Sequence, residues 1–343
     1  MLQAWSTART LAMPREVRFL QSRQNRVGYP SSMILVTGGM GFIGLHTARA
    51  LREAGARVMI TRHRVERMPD FLRGDPEVVV EPLDVGDAGA FARLGDRHRI
   101  EGIVHLAAHL GAGDPIDAAR GALASIINVL DAARSWRVKR VTFASTIGVY
   151  AGVRELPYRE DAALPIASPH FIPCVKKTWE ITAAQIAGRI GVEAIALRLG
   201  GFWGPLKTSR NAMPSLLAHA AARGEPVDLG QLLFDEPTAD GGYDMIYAED
   251  GARAIATLQL ADRLVHRAYN VGAGRITRNR ELLAAVGELV PGFAVELPAA
   301  AVPRLDAEHL DITRLQGLGW APRFDVRSGM ERYLAWLRAG NPW

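Results

Sequence analysis

The sequence predicts an α/β fold: a doubly wound parallel sheet of Rossmann type with a smaller C-terminal substrate-binding lobe. Three observations predict it. An apolar run, Ile34 Leu35 Val36, ends in glycines at 38, 41 and 44 and passes straight into an amphipathic segment. Short apolar runs then alternate with longer helical patterns as far as Leu199. Beyond it, Gly200 Gly201 Phe202 Trp203 Gly204 Pro205 forms a turn-rich break, and the regular alternation weakens. We therefore expect a nucleotide-binding domain over 33–200. Residues 201–343 should form mainly the lobe, with some segments returning to the sheet, and 1–32 a flexible basic extension.

The first unit, from Met33 to Ala54, is strand, tight turn and helix, in the order that a dinucleotide demands. Each glycine has its own task. Gly38 makes the turn, Gly41 lets backbone approach a pyrophosphate, and Gly44 lets the helix pack closely on the strand. The free N–H groups at the helix start, around Phe42 and Ile43, then face the phosphates together with the positive end of the helix dipole.

The second strand covers Arg57 to Thr61 and runs into Thr61 Arg62 His63 Arg64, with no acid in reach. A carboxylate there would bond the ribose hydroxyls of NAD, whereas Arg62 and Arg64 can pair with a 2′-phosphate. NADP is therefore expected over NAD. A third strand, Glu77 to Glu81, leads to Asp84 and Val85, a contact for the adenine edge. The fourth, Gly102 to Leu106, ends in Ala107 and Ala108, whose small side chains leave space for the cofactor. His105 within it reads as a packed, satisfied core histidine. A helix over Pro115 to Trp136 precedes the fifth strand, Arg140 to Ser145, which delivers the hydroxyls of Ser145 and Thr146 to its carboxyl end, where such sheets bind ligands. A helix from Ser168 to Arg189 and a strand from Val192 to Leu199 follow. Short helices are expected over 212–223, 249–260 and 279–290.

Bulk properties narrow the partners. Nearly half of the 343 residues are apolar, yet no stretch is long and apolar enough to cross a membrane. The single cysteine, Cys174, excludes an internal disulfide and fits a reducing, cytoplasmic setting. The net charge of +5 is concentrated in residues 1–32, where five arginines face one acid, so no basic face is left for nucleic acid. A small-molecule substrate is expected, and no metal ligands are assigned.

With these elements placed, the sequence resembles the extended short-chain dehydrogenase/reductase superfamily, in its NAD-dependent epimerase/dehydratase group. The resemblance rests on TGGMGFIG (37–44), VHLAA (104–108), STIGVY (145–150) and LRLGGFWGP (197–205). DMIYAEDGARAI (244–255), YNVGAG (269–274) and LGWAPRF (318–324) continue it. In that family a Ser/Thr polarises the reacting oxygen, a Tyr moves the hydroxyl proton, and a Lys four residues later holds the nicotinamide ribose and lowers the Tyr pKa. The resemblance gives Thr146 the hydroxyl role and Lys176 the lysine role, because Glu180 follows it at the family's spacing. The tyrosine position then holds Ile172, which has no exchangeable proton. Shifting the register to Lys177 puts Pro173 there instead. Tyr150 and His170 are the first candidates for a substitute, with Tyr158 on a nearby loop.

The resemblance also implies a substrate side that includes Thr146, Ile172, Phe202 and Trp203. Tyr243 stands where sugar-nucleotide enzymes of the family carry an arginine, and Ala122 where an asparagine is common. Lys207 and Arg210 offer charges that can hold an anionic group. A homodimer through the helices at 115–136 and 168–189 is implied as well. The expected activity is NADP-preferring oxidoreduction or epimerisation at a hydroxyl/keto carbon of a sugar-like or other small polar substrate. Two alternatives stay open: a cofactor-binding sensor or assembly protein, and a cofactor-assisted dehydratase or lyase with a relocated base.

Overall fold

The structure, a computed structural model, describes residues 33–63, 70, 72–108, 114–233, 237–299 and 305–341. The basic extension 1–32 and Arg64 lie outside the described residues. Seven strands form one parallel sheet: β1 (Met33–Thr37), β2 (Arg57–Arg62), β3 (Val78–Pro82), β4 (Gly102–His105), β5 (Arg140–Thr146), β6 (Glu193–Leu199) and β10 (Ala268–Val271). Their spatial order is β10-β6-β5-β4-β1-β2-β3. The order reverses between β1 and β4, so a crevice opens outside their carboxyl ends.

The apolar run in β1 is continuous because both faces of the strand are covered. Ile34 and Val36 join Leu45 and Leu51 of α1 (Phe42–Glu53) and Ile255 of α6 (Ala248–Leu260) in one core cluster. Met33 and Leu35 join Phe91 and Leu94 of α2 (Ala88–Arg97) and Val129 of α3 (Pro115–Ser135) in the other. Alternate residues of a strand point to opposite faces, which divides the run in this way. A third cluster joins α3, β5 and α4 (Phe171–Ile190) around Ile126, Phe143 and the fully buried Trp179.

The long helix after β5 starts at Phe171, three residues later than the sequence pattern implies. His170 caps it in extended backbone, with no side-chain bond to the helix, and Gly191 ends it at φ +73°. The strand β10, only four residues long, is a segment that returns to the sheet from the C-terminal part. The helix α6 returns likewise and packs beside α1. The lobe proper is built from α5 (Met213–Arg223), α7 (Asn279–Leu289) and α9 (Val326–Arg338) around Met213, Leu217, Leu282 and Tyr333. Two small strand pairs adjoin it: β7 (Gly201–Trp203) with β9 (Met245–Tyr247), and β8 (Gly242–Tyr243) with β11 (Thr277–Arg278). Between α7 and α9 lies the short helix α8 (Thr313–Gln316). Among the described residues no helix is long and apolar enough to cross a membrane.

Candidate active site

The crevice between β1 and β4 begins at the glycine turn. Gly38 lies at φ +66°, and a Cβ there would come 2.8 Å from the Ala107 nitrogen. Its N–H donates to Thr61 Oγ1 at 3.1 Å, which fastens the turn to the end of β2. A Cβ on Gly44 would lie 2.3 Å from the Gly38 carbonyl oxygen, so only glycine lets α1 start this close to β1. Gly39, which the glycine spacing passes over, is equally tight: its Cβ would meet Ile60 Cβ at 2.5 Å. Gly41 caps α1, and the unsatisfied N–H groups of the first turn, at Phe42, Ile43 and Gly44, open beside it.

A cleft of about 300 Å³ is lined by Gly38, Gly41, Asp84, Val85, Leu106, Ala107 and Ala108, all read from the sequence as cofactor contacts. Met40, Thr61, His63 and Leu83 complete the lining. Asp84 is held by its own loop, with Oδ1 accepting the Gly86 N–H at 2.8 Å. Asn128 Nδ2 pins the Val85 carbonyl at 3.0 Å. Arg62 faces a neighbouring hollow of about 350 Å³ together with His63, Arg93 and Arg97. The narrow glycine floor and the helix start suit an anionic nucleotide.

Thr146 ends β5 on the same edge of the sheet. Its Oγ1 accepts the Gly148 N–H at 3.2 Å. A Cβ on Gly148 would meet Pro173 Cγ at 2.8 Å, so this glycine lets the first turn of α4 close over Thr146. Lys176, one turn further on, is buried, with Nζ 3.6 Å from the centroid of the Trp179 ring. Burial alone brings its ammonium down to about 7. Such a desolvated cation–π contact stabilises the charge by about 2 kcal/mol, less than the several kcal/mol that burying an ion costs.

Trp179 is fixed on three sides. Its indole N–H donates to the Ala122 carbonyl of α3 at 2.9 Å, and its ring stacks on His105 at 4.9 Å. His105 Nδ1 lies 2.7 Å from Thr37 Oγ1, while Nε2 is buried with no hydrogen-bond partner. The histidine is packed, as expected, but only half satisfied. Burial, followed by the nearby Lys176 charge, pushes it down to about 3, so the ring is neutral.

Glu180 locks this helix in register. Its carboxylate accepts from Ser145 Oγ at 2.5 Å and pairs with Arg198 at 2.8 Å. Lys177 points elsewhere, donating to the Pro165 carbonyl at 2.5 Å and the Ala167 carbonyl at 2.9 Å. Of the two lysines, only Lys176 therefore has an uncommitted ammonium beside the Trp179 ring.

Several residues read from the sequence are brought elsewhere. Tyr150 is a correction. Its hydroxyl donates to Asn270 Oδ1 and accepts from Arg198 Nη1, both at 2.8 Å, inside the core. Burial pushes it up to about 12, and both of its hydrogen bonds are made within the core. Tyr158 stacks on it at 5.0 Å. Arg210 pairs with Glu225 at 2.7 Å and is not open to an anion. Phe202 and Trp203 are buried in core clusters rather than exposed to substrate. Lys207 instead approaches α1, its Nζ 5.8 Å from the Phe42 ring centroid. His170 and Ile172 are exposed at the start of α4. Tyr243 is half-buried and packs on Gly201, where a Cβ would meet its ring at 2.1 Å. The Trp179 stack was not read from the sequence, although its spacing of three from Lys176 is a signal for a shared helix face.

Comparison with known proteins is consistent with this geometry. A family model described as the NAD dependent epimerase/dehydratase family matches residues 34–272. UDP-glucose 4-epimerase of Bos taurus is 30% identical over 348 residues, covering 90% of this chain and 97% of the relative. The Azospirillum brasilense UDP-glucose 4-epimerase is 28% identical over 90% of this chain and 93% of the relative. Among solved structures, Thermotoga maritima UDP-glucose 4-epimerase with UDP-glucose superposes with a TM-score of 0.74 at 25% identity, covering 90% of this chain and 99% of that one. The Thermus thermophilus UDP-glucose 4-epimerase complex with NAD gives 0.71 at 25% identity, covering 89% and 99%.

Proposed function

Because the chain belongs to the NAD dependent epimerase/dehydratase family, and is an enzyme of that type, we propose that it moves hydride at a hydroxyl/keto carbon of a sugar-like substrate. What supports this reading is a glycine cradle at the end of β1, the Thr146 hydroxyl at the end of β5 in the same parallel sheet, and Lys176 buried on the helix that follows. When bound, the nicotinamide cofactor supplies the site that takes up and returns hydride. The protein's part is to hold and polarise. The first turn of α1 offers its open backbone N–H groups to the pyrophosphate, beside the side-chain-free backbone of Gly38 and Gly41, and Asp84 and Val85 take the adenine edge. Thr146 donates to the substrate oxygen as negative charge develops on it.

NADP is our proposed preference, although NAD is the nucleotide in the Thermus relative. The support is local. Arg62 ends β2 with no acid next to it in sequence, and lines a hollow with His63, Arg93 and Arg97 as well as Asp84 and Asp87. Arg93 and Arg97 pair with Asp87 and Glu81, and Arg62, at the end of β2, is the group to test.

The substrate reading follows the relatives in class. The Thermotoga structure contains UDP-glucose, and MoeE5, 25% identical, is a complex with UDP-glucuronic acid and NAD. Tyr243 and Lys207 are our proposed substrate-side contacts. A homodimer is supported by the apolar residues Ile116, Leu123 and Ile127 exposed along α3 and Ile181 on α4. The single exposed cysteine fits a reducing, cytoplasmic setting.

The test is a paired measurement on the purified protein. Calorimetry with NADPH and NADH should show both binding and NADPH more tightly, with Arg62→Asp reversing the order. A panel of nucleotide sugars should then give substrate-dependent interconversion. Nucleotide binding without turnover on the whole panel would instead mark a cofactor-binding protein, the outcome that Ile172 favours.

A further inference from the structure

We propose that Lys176 itself exchanges the reacting hydroxyl's proton, in place of the aromatic hydroxyl that position 172 lacks, with Trp179 and His105 as positioning residues beneath it. This inference rests on the hydride-transfer reading above and names its proton carrier.

The first support is geometric. Positions 172 and 176 lie one turn apart on one face of α4, so the group nearest to the missing hydroxyl along that face is the Lys176 amine. The other tyrosines near the site are spent, since Tyr150 is hydrogen-bonded in the core and Tyr158 is stacked upon it.

The second is the lysine's surroundings. A lysine that only balances charge sits against a carboxylate, and among the described residues none is paired with Lys176. Glu180, on its own helix, is committed to Ser145 and Arg198. Lys177 is turned to the Pro165 and Ala167 carbonyls. From β4, neutral His105 lies close enough to feel the Lys176 charge. Beneath it lies the Trp179 ring, which is anchored to the Ala122 carbonyl of α3. A π face supports the ammonium without fixing it as an anion would. The amine and ammonium forms therefore lie close in energy, and burial places their balance near neutrality.

The third support is composition. Of the 41 lysines and arginines in the chain only four are lysine: Lys139, Lys176, Lys177 and Lys207. The sequence uses arginine almost wherever it needs a positive charge, and arginine cannot release its proton. Lysine at position 176 is an exception to that habit, at the one buried point where proton release has a use.

The step balances. In the oxidising direction the substrate O–H bond breaks and its proton goes to the Nζ lone pair. The electron pair left on oxygen forms the C=O bond while hydride leaves the carbon for the oxidised nicotinamide. In the reducing direction the ammonium returns the proton to the oxygen.

Four lysines make the test direct. The protein, labelled with ¹³C at lysine Cε, is titrated by NMR, and Lys139, Lys177 and Lys207 are assigned by replacing each with Arg. The Lys176 signal is expected to titrate near pH 7. In turnover with UDP-glucose or UDP-glucuronic acid, kcat/KM should rise through the same midpoint. Lys176→Arg should lower kcat by about 10²-fold or more while NADH affinity changes by less than about tenfold. A Lys176 midpoint within about one unit of Lys139, or Lys176→Arg keeping more than about a tenth of kcat, overturns the proposal and leaves the hydride-transfer reading standing. Wild-type protein that binds no nicotinamide nucleotide overturns both.

Discussion

Lys176 and Trp179, three residues apart on α4, form a buried pair in which the ammonium lies over the indole ring, with no carboxylate partner among the described residues. Ion burial without a counter-ion is a stability cost, and its pH dependence has a definite sign. Burial lowers the lysine from 10.5 to about 7 in the folded protein. Below about pH 7 both folded and unfolded states carry the charge, so the folded state bears the full penalty. Between about 7 and 10.5 the unfolded chain keeps a proton that the folded one has shed, and stability rises with pH. Lys176→Met should therefore stabilise the protein by about 2 kcal/mol or more at pH 6, with the gain shrinking toward pH 10. Urea unfolding of the variant and the parent at pH 6 and pH 9 reads the difference.

Thr146 accepts the Gly148 N–H through the oxygen whose own proton is left for a substrate. Thr146→Ala should cost about 10²- to 10³-fold in kcat, the usual loss for one oxyanion donor. Thr146→Ser should keep more than about a tenth of the activity. NADH affinity, measured by calorimetry, should stay within about threefold in both. An equal fall in affinity and turnover would show that Thr146 shapes the cleft rather than polarising the oxygen.

Gly44 has no room for a methyl group: the Gly38 carbonyl and the Gly39 Cα would lie 2.3 and 2.7 Å from it. Gly44→Ala must push α1 off the turn, at a cost of about 1–3 kcal/mol, and open the phosphate floor. Chemical unfolding should register the lost stability, and calorimetry should show NADH binding weakened at least about tenfold. Gly55→Ala is the control for the helix. It lies at φ +82° just beyond α1, with nothing within 4 Å of its Cβ, so it should lose stability without losing the nucleotide.

What the sequence made legible follows from how local each constraint is. The glycine turn and β1 were readable because a buried parallel strand and a tight turn constrain adjacent residues, and Gly38 and Gly44 adopt the packing their spacing implies. The Lys176 register came from the family resemblance, in which an acid follows the lysine by four residues as Glu180 does here. Tyr150 was misread because its partners, Arg198 and Asn270, lie 48 and 120 residues away and come together only when β6 and β10 join the sheet. Phe202 and Trp203 follow a turn-rich break that looks exposed, yet β7 pairs with β9 and draws both inward. The Trp179 stack stayed hidden for the same reason, since it depends on His105 from β4 and Ala122 from α3. Strands as short as β10 carry too little periodicity to announce themselves.

Asp244 offers a test of how the lobe is held against the sheet. Its Oδ1 accepts the Ala273 N–H at 2.6 Å, and its Oδ2 accepts those of Gly274 and Leu310, each at 3.1 Å. Three backbone donors from two distant segments converge on one fully buried group, a task for an acceptor on both oxygens. Asp244→Asn turns one acceptor into an NH₂ donor, so at least one buried N–H loses its partner and faces another donor. The expected loss is about 1–3 kcal/mol, read as a lower urea midpoint with an unchanged slope. The bonds tie the turn after β10 and the Leu310 segment to the residue next to Tyr243, on the proposed substrate side and away from the glycine cradle. The variant should therefore raise KM for the sugar substrate while NADH affinity stays within about threefold. A matching loss in cofactor binding would mean that Asp244 also supports the cradle, whose β1 and α1 share a core cluster with Val271 and Leu310.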